Sequence, residues 1–266
     1  MSFQPLELGA NGEEVVLLQK ALNEKLNMNM RPDGDFGVMT QNAIIEFQNN
    51  NGLETTGTYG EPEYEILGSF IDDKYIRRDD IEAISLENDF NPAFVKAVAD
   101  VEGKSTGFLS DGRPLILFER HKFYADILKT QGREAAVEIQ AEAPNICHPV
   151  WDKKAYIGYA GEYNRLEIAK KYSEESAYKA ASWGMFQILG SNYRLCDVDN
   201  VFDFVAANET SEHLHFQFFI SFIINQTSLL QAFRSENIEA FVGRYNGPGQ
   251  VEFYSNRIRT ALRRYS

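Results

Sequence analysis

Apolar residues recur at helical spacing through most of the chain, with short turn-rich stretches between the runs. Val15, Leu18, Leu22 and Leu26 follow the turn residues Gly9 and Asn11-Gly12, and Ala43, Ile44 and Phe47 follow Gly37 in the same manner. Each run carries an apolar-Gln pair, Leu18-Gln19 and Phe47-Gln48, set 29 residues apart, so the two read as similar units. Asp33-Gly34-Asp35-Phe36-Gly37 between them is turn-rich, and a third short helix is expected from Pro62 to Ile71. Together they predict a compact helical module of about 70 residues.

The remainder is longer and richer in aromatics. Helices are expected at about 91–103, 162–180, 209–225, 236–244 and 250–264. One stretch departs from the helical period: Pro114-Leu115-Ile116-Leu117-Phe118 has strand character and follows the turn Ser110-Asp111-Gly112. The expected class is therefore mainly α, with a small three-helix N-terminal domain and a larger α+β domain containing a small β element.

With 266 residues, 44% of them apolar and 24% charged, the chain has enough material for one or two domains with real cores, which excludes disorder, collagen and coiled coil. The longest predominantly apolar stretch, Phe218 to Ile224, is too short to cross a bilayer, so no stable membrane insertion is expected; the first residues have neither a basic nor an apolar region typical of a signal peptide. A net charge of −13 argues against a nucleic-acid partner, because phosphate binding needs excess Lys and Arg. The charge is uneven: residues 1–73 hold 13 acids and 3 bases, leaving 26 acids and 23 bases for 74–266. That step supports a domain boundary near Asp72-Asp73-Lys74, dividing the chain into 1–73 and 74–266. The two cysteines, Cys147 and Cys196, allow one bridge but read more readily as free buried thiols.

The clearest candidate for chemistry is Glu102. Asn91 and Pro92 start a helix as N-cap and first-turn residue, and Gly103 is placed to end it. Val95, Val98 and Glu102 fall on one stripe, so the carboxylate lies with core residues at the negative end of a helix. Desolvation and the helix dipole both favour its protonated form, which suits a general acid. The structural alternative is a half-exposed residue paired with Lys104 or Arg113.

Other chemistries find little support. Asp33 and Asp35 resemble the start of a calcium loop, but the later ligand positions fall on Gly37, Val38 and Ile44. His121, His148, His213 and His215 show no zinc-ligand spacing; His213 and His215 are two apart on an expected helix and point to different faces. No cysteine-nucleophile motif or phosphate-cradling glycine loop is present, and neither metal nor cofactor is expected. Phe216, Phe218, Phe219, Phe222 and Ile223 read as a buried helix. Arg257, Arg259, Arg263 and Arg264 read as a solvated basic face, with anionic lipid or wall polymer as the alternative.

Two resemblances join these observations. Leu8-Gly9, Gly12, Val16, Leu18-Gln19, Leu22, Asp33 to Gly37, Thr40, Ala43, Phe47-Gln48, Gly52-Leu53 and Gly57 resemble the three-helix peptidoglycan-binding domain of cell-wall hydrolases. Behind Glu102, the segments Gly107-Phe108-Leu109 and Asp111 to His121 resemble the start of a phage-type N-acetylmuramidase in the lysozyme-like superfamily. Ala181-Ser182-Trp183-Gly184-Met185-Phe186-Gln187-Ile188, then Asn192-Tyr193, then Tyr245-Asn246-Gly247 are similar to cleft segments of goose-type lysozymes and lytic transglycosylases.

The resemblance implies a modular endolysin that binds peptidoglycan and hydrolyses the bond between N-acetylmuramic acid and N-acetylglucosamine. It gives Glu102 the general-acid role and places Gln187, Tyr245, Asn246, Tyr193 and Trp183 at the substrate, although an aromatic at position 183 is as readily core. Glu119 is the best second carboxylate, as it would share a strand face with Leu115 and Leu117. A salt bridge with Arg120 or His121 weighs equally, and Asp111 is the runner-up. A monomer is expected, held in the host cytoplasm until release to the periplasm and wall. A lytic transglycosylase, a non-catalytic wall-binding or virion protein, and a peptide-cleaving enzyme are the rivals.

Overall fold

The structure, a computed structural model, describes residues 4–158 and 160–265. It divides into two compact units. The first runs to Arg77 and takes in the loop Phe108–Arg113; the second comprises Arg78–Gly107 and the chain from Pro114 onward.

In the first unit, α1 (Glu13–Leu26), α2 (Val38–Asn51) and α3 (Glu61–Lys74) enclose a core that includes Leu18, Leu22, Phe36, Ile44, Phe47 and Leu67. The repeat seen in sequence is a repeat of hydrogen bonding. Gln19 is buried; its Nε2 donates to the Asp35 carbonyl and its Oε1 accepts from the Gly34 N–H, at 3.0 and 2.9 Å. Gln48, also buried, does the same from α2, donating to the Thr58 carbonyl and accepting from the Gly57 N–H, both at 3.0 Å. Each Gln thus satisfies the buried backbone of the loop that follows its helix, which explains its place beside an apolar core residue. Gly34 and Gly57 have φ of +83° and +71°, a conformation that favours glycine.

The loop Phe108–Arg113 lies in the part of the sequence expected to belong to the second domain, yet it packs with the first unit. Phe108 joins the first unit's core edge-on to Tyr75 at 6.5 Å, and the Gly112 carbonyl accepts from Lys74 Nζ at 3.3 Å. An apolar ring and a free carbonyl find partners there that a turn could not supply locally.

The second unit begins with α4 (Arg78–Glu87) and α5 (Pro92–Glu102), followed by β1 (Ile116–Phe118), α6 (Arg120–Thr130), α7 (Arg133–Glu142), α8 (Ala160–Lys170) and α9 (Glu174–Lys179). Next come β2 (Ala181–Trp183) and β3 (Ile188–Leu189), then α10 (Val201–Asn208), α11 (Glu212–Ile224), α12 (Thr227–Arg234), α13 (Ile238–Tyr245) and α14 (Val251–Leu262). The class is mainly α with a small sheet of order β1-β2-β3; β1 pairs antiparallel with β2, Ile116 opposite Trp183.

The helix expected over 162–180 is two helices. The break falls at Ser173, whose hydroxyl caps α9 by accepting from the Ser176 N–H at 3.2 Å, so local capping overrides the continuous apolar pattern. α4, α6, α7, α10 and α12, of 8 to 11 residues each, lie outside the expected ranges. Cys147 and Cys196 are free and buried.

Candidate active site

Glu102 is the last residue of α5. Asn91 caps the start of that helix, its Oδ1 accepting from the Ala93 N–H at 3.0 Å, and Phe94, Val95, Ala97 and Val98 bury its inner face. Gly103 ends it in an extended conformation, so left-handed freedom is not the reason for glycine. A Cβ there would come within 2.5 Å of the Ala99 carbonyl oxygen.

The Glu102 carboxyl is half-buried and asymmetric. Oε2 accepts from Asn246 Nδ2 at 2.8 Å, whereas Oε1 is buried and has no hydrogen-bond partner. Burial pushes the carboxyl above its ordinary range; the Asn246 bond and the positive charges of Arg257 and Lys104 oppose that shift without cancelling it. Asn246 sits at the C-cap of α13, its own N–H donating to the Val242 carbonyl at 2.8 Å, and its Oδ1 is likewise buried without a partner. The loop and the end of α5 thus each present one buried polar atom, Asn246 Oδ1 and Glu102 Oε1, that the protein leaves unpartnered.

Tyr245, next to Asn246, turns the other way. It stacks on Phe241 with centroids 5.3 Å apart, meets Phe219 edge-on, and donates its hydroxyl to the Phe186 carbonyl at 3.4 Å. Its role is to lock the loop that presents Asn246.

The segment 181–188 is the β2–β3 hairpin. Its turn is tight, with Gly184 at φ +68° and Gln187 at φ +52°. Gln187 Nε2 donates to the Gly184 and Leu115 carbonyls at 2.9 and 3.2 Å, so its amide nitrogen closes the turn onto the entry to β1. The turn lies against the exit of α5, where the Lys104 N–H donates to the Met185 carbonyl at 3.0 Å. Three segments far apart in sequence therefore meet: the end of α5, the 184–187 turn and the 245–247 loop.

The structure corrects the reading of Trp183 as cleft wall. Its side chain is buried at 2% exposure and donates from the indole N–H to the Tyr178 carbonyl at 3.1 Å, so it has no face open to a sugar. Tyr193 is half-buried on the 3-10 turn Gly190–Cys196, with the Arg194 guanidinium 5.3 Å from its ring centroid.

Glu119 is not on a strand face with Leu115 and Leu117. β1 ends at Phe118, and Glu119 is the N-cap residue of α6. Its Oε2 accepts from the Tyr156 hydroxyl at 3.3 Å and lies 3.4 Å from His121 Nδ1, while Trp151 Nε1 donates to that same hydroxyl at 2.8 Å. Burial holds His121 below its usual value against the pull of Glu119. Asp111 is engaged by Arg113, Nε and Nη2 at 3.0 and 2.5 Å, which pulls its carboxyl down; it belongs to the loop that packs in the first unit.

The polar groups that hold this frame leave little trace in the sequence. Glu162, fully buried, accepts from the backbone N–H groups of Phe118, Ile157 and Gly158 and pairs with Arg165 at 2.7 Å; Arg165 in turn donates to the Phe118 and Asn145 carbonyls. The pair ties β1 to the segment bearing Tyr156. Its only signal in sequence is an i, i+3 Glu-Arg spacing, which is common on solvated helices.

A family model described as N-acetylmuramidase matches residues 91–266, and one described as a putative peptidoglycan binding domain matches residues 11–67. No curated protein matches the chain. Among solved structures, the crystal structure of a Burkholderia AP3 phage endolysin is similar, with a TM-score of 0.67 and 32% identity, covering 98% of this chain and 99% of that one. With the muramidase match spanning more than half the chain and a peptidoglycan-binding match ahead of it, the protein belongs to the N-acetylmuramidase family of peptidoglycan-cleaving glycoside hydrolases.

Proposed function

We propose that Glu102 is the general acid of this muramidase and that Asn246 positions it. The observation that carries the reading is the free, buried Oε1 of a carboxyl whose burial favours the protonated form. A protonated Glu102 donates its proton to the glycosidic oxygen as the bond from that oxygen to the muramic C1 breaks, and the growing charge on the sugar is met by water at C1. Asn246 holds Oε2, so the proton on Oε1 is not committed to a partner within the protein.

Water attack also requires a group to take the water's proton. Glu119 is the carboxylate we assign to it, held by Tyr156 and His121. Gln187 and Tyr245 shape the site through backbone contacts, and Tyr193 contacts sugar from its half-buried turn.

The first unit concentrates the second on its polymer. Tethered binding raises the effective substrate concentration for a linked catalytic unit without any new catalytic contact. The modular order and the likeness to a phage endolysin support an endolysin; we propose that it acts as a monomer and accumulates in the host cytoplasm before it reaches the wall.

Mass spectrometry of soluble products from purified Gram-negative peptidoglycan tests the reading, with Glu102→Gln run alongside. Fragments ending in reducing N-acetylmuramic acid, lost by about 100-fold or more in the variant, are expected. Anhydro-muramic ends would make the enzyme a transglycosylase, and undiminished release by Glu102→Gln would remove Glu102 as the acid.

A further inference from the structure

α11 reads in sequence as an apolar band, yet its first turn carries two buried polar side chains, Glu212 and His215. Glu212 Oε1 accepts from the Gly107 N–H at 2.8 Å. His215 Nδ1 accepts from the Met185 N–H at 3.2 Å, and its Nε2 donates to the Asn208 carbonyl at 2.7 Å, which fixes the neutral tautomer protonated on Nε2.

The imidazole is clasped between two glycines. A Cβ on Gly107 would lie 2.5 Å from His215 Nδ1, and one on Gly184 would lie 2.7 Å from His215 Cδ2 and 2.6 Å from Asn208 Oδ1. Two of the glycines in the segments around Glu102 are thus required by close approach to α11.

The backbone they hold is that of the active site. The Met185 carbonyl accepts from the N–H of Lys104, two residues after Glu102, and the Gly107 carbonyl accepts from the N–H of Leu115 at the entry to β1. We propose that Glu212 and His215 are positioning residues of the muramidase: from one turn of α11, through Gly107 and Met185, they fix the backbone on which Glu102 leaves its helix. Neither touches substrate. A helix turn packed in the core sets the reach of a carboxyl at the end of another helix, because α5 ends at Glu102 and the backbone after Gly103 is held by these contacts.

The inference rests on Glu102 as the acid, and its test keeps the two separable. Steady-state kinetics on purified peptidoglycan, with pH profiles, are run on wild type, Glu102→Gln, His215→Ala, His215→Gln, Glu212→Ala and Glu212→Gln. His215→Ala and Glu212→Ala are expected to lower kcat roughly 10- to 100-fold with little change in KM, and to displace the basic limb of the profile. A Gln at 215 can accept from Met185 and donate to Asn208, and a Gln at 212 still accepts from Gly107, so each should recover most of the loss. If an Ala variant fails to fold, the Gln variant of the same site is compared with a Leu variant that keeps bulk but no acceptor. Folded Ala or Leu variants with wild-type kcat, or Gln variants that recover nothing, would overturn the positioning role. An active Glu102→Gln would instead overturn the assignment of the acid.

Discussion

Asn246 Nδ2 donates to Glu102 Oε2 at 2.8 Å across 144 residues of sequence. The bond stabilises the ionised carboxylate and so works against the burial that raises the carboxyl's pKa. Its value to catalysis is orientation, since it occupies one oxygen and leaves the other free.

Replacing Asn246 by Ala should therefore have two effects of opposite character. Lost orientation lowers kcat by roughly tenfold to a hundredfold. Lost stabilisation of the ionised form raises the Glu102 pKa further, so the limb of kcat/KM that falls as the acid loses its proton moves to higher pH. A profile that moves to lower pH would contradict this arrangement.

The same pKa shift predicts how stability depends on pH. The folded pKa of Glu102 lies above its unfolded value, so the folded state binds the proton more tightly, and its stability falls as pH rises through the folded pKa. Glu102→Gln removes that penalty. It should melt higher than wild type at pH 8 and equal to it at pH 4, as read by thermal unfolding at both values.

If Glu119 takes the proton from water, Glu119→Gln should lower kcat by about 100-fold or more while the fold is kept. Tyr156→Phe, which removes the hydroxyl donating to Glu119 but not the carboxylate, should cost less. Circular dichroism separates these effects from unfolding. A Glu119→Gln enzyme with wild-type turnover would leave Glu119 as a structural partner of His121.

The paired glutamines of the first unit should be equivalent in energy. Gln19→Ala and Gln48→Ala each strand a buried glycine N–H, at a cost of about 1–3 kcal/mol apiece. Urea unfolding of the full chain measures the loss, and a peptidoglycan pull-down should weaken with it. Loss at only one of the two would mean that the repeat is not energetic.

Whatever depends on near neighbours is legible along the chain. The three helices of the first unit follow from the 3.6-residue period, and its turns from glycines that must adopt positive φ. α5 and its caps follow from Asn91, Pro92 and the stripe ending at Glu102. The motifs around Trp183, Gln187 and Asn246 were legible because each is contiguous. The tertiary structure alone decided which motifs meet, and how. It placed Asn246 on Glu102, buried Trp183, ended β1 before Glu119, and put the loop Phe108–Arg113 in the first unit. It also turned Glu162, Arg165, Glu212 and His215 inward, where sequence offers only ordinary helix residues. The physical reason is the same in each case: a buried polar group is tolerated only with its partner, and that partner is supplied by packing between segments that no local spacing connects.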